Sequence, residues 1–182
     1  METGWTMTES ASESAVVVEV AEVGSVVDAY RKILDPSSAW GLPAHVTLLY
    51  PFIPPAQLDE DGLGAIERAL SGVPAFEVAF RQFAWFGEKV LWLAPEPDRS
   101  FREMTARLVE AFPEYPPYEG LIADPIPHLT VGDGAPVEAL RNAATNLSPR
   151  LPIIVSVTHV NVMTGSFARG SWKTVRRIRL AG

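Results

Sequence analysis

Two short segments, His45-Val46-Thr47-Leu48 and His128-Leu129-Thr130-Val131, repeat one pattern 83 residues apart in a chain of 182. Alternation of polar and apolar residues over four positions reads as a β-strand, in which residues i and i+2 share a face. Each histidine therefore projects together with its threonine, while Val46, Leu48, Leu129 and Val131 turn the other way into packing. A second landmark keeps the same beat, since Trp92 and Trp172 lie 80 residues apart. A duplicated α/β unit explains both offsets.

The elements around the motifs agree with duplication. Strands are expected at 15–20, 44–50, 75–86 and 89–94, with helices from about residue 25 to the stop at Pro36 and over 58–70. In the second half Ser100 and Glu103 form a capping-box pattern ahead of a helix. A Pro- and aromatic-rich loop over 112–127, a short strand over 128–131, a helix over 136–147 and strands over 151–164 and 171–180 complete the reading. Both halves run helix, short strand, helix, long strand, long strand. The expected fold class is α/β (α+β), a single bilobal domain over 15–182 with halves of roughly 15–97 and 98–182 and mostly antiparallel sheets. Residues 1–14, rich in Thr, Ser and Glu, read as a disordered lead-in.

Composition narrows the chemistry. The chain has no Cys, which excludes disulfides, thiol nucleophiles and zinc ribbons, and its three His are His45, His128 and His159. Net charge is −7, with 22 acidic against 15 basic side chains. An acidic body does not wrap long nucleic acid, which requires many Lys and Arg against phosphates. A small anionic ligand or a strand end is compatible with it. The apolar run from Ala15 stops at Glu19, too short for a signal peptide or a membrane span, so a cytoplasmic protein with no membrane partner is expected.

Two imidazoles and two hydroxyls converging from separate strands suit in-line attack on phosphorus. One His takes a proton from the nucleophile and the other gives one to the leaving oxygen. Their ordinary pKa values near neutrality allow one to be base and the other acid. The hydroxyls can donate to non-bridging phosphate oxygens, where charge develops. A metal site is the competing chemistry, with Asp124 or Asp133 as a third ligand to the two histidines, but neither Cys nor a His-Glu-x-x-His helix supports it. Ordinary strand histidines bonded to Thr or backbone are the plain structural alternative.

With these residues in view, His45-Val46-Thr47-Leu48-Leu49-Tyr50-Pro51-Phe52 and Pro127-His128-Leu129-Thr130-Val131 resemble the two signatures of the two-histidine phosphoesterase superfamily, which includes the 2′-5′ RNA ligase (LigT-like) group and cyclic nucleotide phosphodiesterases. The resemblance spans about residues 15–180. It implies a pair of pseudo-twofold lobes with the active cleft between them, no cofactor and no metal, and a monomer. It also implies cleavage of a 2′,3′-cyclic phosphate or related diester on a small nucleotide or RNA end, or the reverse ligation, with His45, Thr47, His128 and Thr130 as the catalytic set. Pseudo-symmetry leaves the acid and base assignment open. After the second motif the chain runs Gly132-Asp133-Gly134, where RNA-handling relatives often place a basic or aromatic residue, and Asp133 would repel a phosphate chain. A nucleotide- or RNA-end-binding protein without turnover is the alternative function.

Secondary candidates complete the set. Tyr50 follows the first motif, and Tyr115 and Tyr118 lie in the long loop before the second, where a tyrosine can stack on a base. His159 lacks a Thr partner and reads as structural. Trp85, Trp92 and Trp172 read as core. Lys173, Arg177 and Arg179 share one face of the last strand, which reads as a solubilising edge and would supply positive potential if it bordered the cleft.

Overall fold

A computed structural model describes residues 11–182; most of the expected lead-in, residues 1–10, lies outside them. The chain runs β1 (Glu13–Glu19), α1 (Ala21–Leu34), α2 (Pro36–Trp40), β2 (His45–Leu49), α3 (Glu60–Leu70), β3 (Phe76–Phe86), β4 (Val90–Glu96), α4 (Arg99–Ala111), β5 (Leu129–Asp133), α5 (Val137–Leu147), β6 (Ile153–Val157), β7 (His159–Gly165) and β8 (Lys173–Arg179). Two four-stranded antiparallel sheets result, ordered β2-β1-β7-β8 and β5-β4-β3-β6. Each sheet takes two strands from the first half of the chain and two from the second. The α+β, mostly antiparallel, two-lobed architecture expected from the sequence is the one observed.

Both histidine motifs belong to edge strands, and these two edges, β2 and β5, lie against each other at the centre of the molecule. Helices tie the sheets together by crossing between them. The first helix, α1, packs on β5, β6 and α5 in the second sheet, whereas α4 packs on β2 and α3. Apolar residues three or four apart explain which helix faces are buried: Leu63, Ile66 and Leu70 on α3, Phe101, Met104 and Leu108 on α4, Leu140, Ala143 and Leu147 on α5. One hydrophobic core runs continuously beneath both sheets. Among the described residues no helix is long and apolar enough to cross a membrane.

Four local expectations are corrected. The strand expected over 151–164 is two strands in different sheets, β6 against β3 and β7 against β1 and β8, with the chain changing sheets at Thr158. The apolar phase slips by one residue there, from Val155 and Val157 to Val160 and Val162, so Thr158-His159 carries a signal of the change that the sequence reading passed over. Ser100 lies inside α4 and does not cap it; Asp98 precedes the helix, and its carboxylate accepts from Arg102 Nε at 2.7 Å. The first helix begins four residues early, at Ala21. The short α2 is an additional element, although Asp35-Pro36 carries its signal: Asp35 Oδ1 accepts from the Ser37 amide at 3.0 Å, with Pro in the first turn.

Close packing behind the second motif requires a glycine. A Cβ on Gly132 would collide with the Leu140 side chain and press on Leu34, where β5 meets α5 and α1. Overpacking of this kind costs about 1–3 kcal/mol. Gly132→Ala is therefore expected to lower the stability measured by urea unfolding by that amount, through the midpoint and without changing the slope; an unchanged midpoint would mean that α1 and α5 do not press on β5 as described.

Candidate active site

His45 and His128 are held in the same way. Each Nδ1 lies 2.7 Å from the backbone carbonyl two residues upstream, Pro43 O for His45 and Ile126 O for His128. A carbonyl can only accept, so Nδ1 carries the hydrogen and Nε2 keeps its lone pair. Among the described residues neither Nε2 has a hydrogen-bond partner, and neither do the hydroxyls of Thr47 and Thr130. All four side chains are half-buried and line one cavity of about 230 Å³. Tyr50 and Tyr118 line the same cavity, so the six residues singled out in the sequence are gathered in one place.

Burial decides the charge of the pair. It pushes the His45 pKa down to about 4, helped by the positive charges of Arg31 and of His128 when protonated, against the Pro43 hydrogen bond and Asp35, which favour protonation. Burial also lowers His128, opposed by its bond to Ile126 O. Both rings are neutral in the free site near pH 7. The Arg31 influence comes from a buried ion pair: its Nε and Nη2 donate to Asp35 Oδ2 at 3.1 and 2.8 Å, and Nη2 also reaches Leu42 O at 3.3 Å. That network anchors the segment from α2 to His45. Asp35, Ser37, Trp40 and Leu42 consequently line the cavity, a contribution that the sequence reading missed.

The cleft floor is aromatic. Trp92 and Trp172 are buried as expected of core residues, at 7% and 4% exposure, yet both also support the site. Trp92 stacks on Phe86 at 4.7 Å, and both rings meet His128, at 5.8 and 5.0 Å. Trp172 lies across Gly165, where any Cβ would intrude on the indole, and lines the cavity near Tyr50. Trp85 is half-buried against the main core.

The loop before the second motif arches over this floor. Tyr118 and Glu119 both adopt left-handed backbone angles, φ 52° and 55°, a conformation costly for non-glycine residues. The Tyr118 amide donates to Tyr50 O at 2.7 Å and so ties the loop to the end of β2. Tyr118 borders three cavities: the histidine cavity, a second of about 360 Å³ beside His128 and Phe86, and a third of about 580 Å³ beside Thr47 and Tyr50. Tyr115 points away and packs edge-on against Phe52 in the core.

Of the remaining candidates, His159, the basic strand and Asp124 lie outside the histidine cavity, Asp124 lining the two neighbouring ones, whereas Asp133 lines the histidine cavity itself. His159 Nδ1 pairs with Thr158 Oγ1 at 2.8 Å and lines a separate recess with Glu19, Asn161 and Arg177. The basic strand β8 is the outer edge of its sheet and does not line the histidine cavity. Asp124 is held by Arg102 at 2.7 Å, and among the described residues no three His, Cys, Asp or Glu side chains converge as metal ligands would.

Comparison with known proteins bears on this arrangement. The model of the 2′-5′ RNA ligase superfamily matches residues 18–166. E. coli LigT, crystallised with 3′-AMP, superposes with a TM-score of 0.59 at 17% identity, covering 95% of this chain and 100% of LigT. TT0787 of Thermus thermophilus gives 0.62 at 18% identity, covering 93% and 98%. A crystal structure described as a phosphoesterase gives 0.59 at 18%, covering 95% and 100%. No curated protein sequence matches the chain. The shared fold and the family match over most of its length place this chain in the 2′-5′ RNA ligase superfamily.

Proposed function

We propose that the protein is a metal-independent phosphoesterase that opens the 2′,3′-cyclic phosphate, or a related diester, of a nucleotide or RNA end. The observation that carries this reading is the matched pair of histidines, each with Nδ1–H donated to backbone and Nε2 free, lining one cavity with two unengaged threonine hydroxyls. In hydrolysis His45 Nε2 takes a proton from water, and the water oxygen bonds to phosphorus. The P–O bond to one ribose oxygen breaks as protonated His128 gives that oxygen a proton. Thr47 and Thr130 donate to the non-bridging oxygens throughout. A ribose hydroxyl in place of water would run the same chemistry as ligation. His45 is assigned the base because burial and Arg31 together oppose its protonation, whereas His128 has no such cation beside it.

Tyr50 and Tyr118 flank the phosphate position and are suited to stack on a base or sugar. Among its relatives, E. coli LigT has been crystallised with NADP+, 3′-AMP and ATP, which supports nucleotides as the ligand class to test.

Turnover of nucleoside 2′,3′-cyclic phosphates is expected to survive EDTA, and His45→Ala and His128→Ala are each expected to lower kcat/KM by about 10²–10⁴-fold. Full activity in either variant would refute the assignment. Roles can be separated with a diester whose leaving group needs no proton: His128→Ala should recover on it while His45→Ala should not. The base must be neutral, so kcat/KM falls below about pH 4. The acid must be protonated, so kcat/KM falls again as pH rises through the His128 value, which burial places below 6.5. A bell with its maximum on the acid side of neutrality is expected, and a maximum above pH 7 would contradict it.

A further inference from the structure

Charges around the cleft restrict what can enter it. Of all Lys and Arg among the described residues, only Arg102 lines any of the three cavities that meet at Tyr118. Its Nε and Nη1 are each taken, at 2.7 Å, by Asp98 and Asp124. Arg31, behind His45, is matched by Asp35 at 2.8 Å and Asp28 at 3.5 Å. Each cation is therefore offset by two carboxylates before any phosphate arrives. Residues 1–10 cannot supply one, since they contain Glu2 and Glu9 and no Lys or Arg.

Carboxylates, in contrast, stand close by. Asp133 lines both cavities that contain His128 and Thr130, with no hydrogen-bond or ion-pair partner among the described residues. Burial and the charge of Asp35 raise its pKa, so the two carboxylates already sense each other across the cleft. Tyr50 OH donates to Glu13 at 3.3 Å, and Glu119 also acts on it. The exposed bases of β8 lie three strand spacings from β2, about 14 Å, beyond the screening length of about 8 Å at physiological salt. The largest cavity, about 580 Å³, is walled mainly by apolar groups such as Leu48, Val109, Pro117 and Ile122.

We propose that this cleft selects a substrate with a single phosphate and an otherwise uncharged body that offers an aromatic face, a free nucleoside 2′,3′-cyclic phosphate, and that Asp133 is the residue that disfavours a second phosphate. The proposal rests on the phosphoesterase reading above and narrows it. The histidine and threonine groups serve one phosphate; a second one meets carboxylates with no cation to offset its desolvation. At an effective dielectric of about 20, a like charge about 12 Å away costs about a decade in affinity, and a closer one costs more. RNA ends and ADP-ribose derivatives carry such additional phosphates and are correspondingly poor substrates.

The test compares wild type, Asp133→Asn and Asp133→Arg on adenosine 2′,3′-cyclic phosphate and on the same molecule bearing a 5′-phosphate. In parallel, calorimetry measures binding of adenosine 3′-monophosphate and adenosine 3′,5′-bisphosphate. Wild type is expected to prefer the singly phosphorylated ligand about tenfold or more in both assays. The preference should shrink severalfold in Asp133→Asn and vanish or invert in Asp133→Arg, each ratio being internal to one variant and so independent of its overall activity. Equal use of both ligands by wild type, or a preference unmoved in Asp133→Arg, overturns the proposal. Absent turnover with the binding preference intact would remove the catalytic reading and leave the charge selection standing.

Discussion

Two edge strands from different sheets, β2 and β5, lie against each other, and the rest of the site depends on that abutment. An exposed sheet edge is normally a pairing liability. Here both edges are five residues long and each is covered by the other lobe, so the chain uses them to present matched side chains toward one space. The helices make the arrangement rigid because each lobe is covered in part by a helix that enters or leaves a strand of the other. Within this frame the carbonyls of Pro43 and Ile126 set the ring tautomers. Backbone geometry, fixed by strand position, thereby determines which nitrogen is available for chemistry.

Electrostatics follow from the same packing. The buried Arg31–Asp35 pair ties the approach to β2 and places a positive charge behind His45. Removing one member of a buried pair leaves the other uncompensated, a loss of about 3–5 kcal/mol, so this network links stability to the proton affinity of the base. The second lobe has no equivalent pair; Phe86 and Trp92 occupy the position beside His128. Pseudo-symmetric strands thus carry histidines in unlike surroundings, and the proposed division into base and acid rests on this asymmetry.

Much of this was legible in the sequence because it is local. Strand alternation located His45, Thr47, His128 and Thr130 on shared faces, and the Pro-rich loop drew attention to Tyr118. What was not legible is set by contacts between distant segments. The pairing of β1 with β7 leaves no local signal, and the change of sheets shows only as a one-residue slip of apolar phase at Thr158-His159. The same holds for Trp92 and Trp172: their apolar character announced burial, but only the fold reveals that Trp172 lines the cleft and that Trp92 packs against His128. Asp35 was invisible as a site residue because its role depends on Arg31 one helical turn earlier and on the short α2 that follows. Tyr115 and Tyr118, three residues apart in one loop, diverged for want of any sequence signal for the left-handed turn that separates them.

The β1–β7 ladder, which joins Glu13 to Gly165, has a consequence for synthesis. During translation β1 can pair with β2 early, but its other flank stays bare until β7, more than 140 residues further on, has left the ribosome. Long-range pairing of this kind slows folding, and unpaired strand flanks are exposed to misassociation meanwhile. The first sheet is therefore completed last, and a ribosome-bound chain halted before β7 would hold both histidine motifs without the scaffold that sets them face to face.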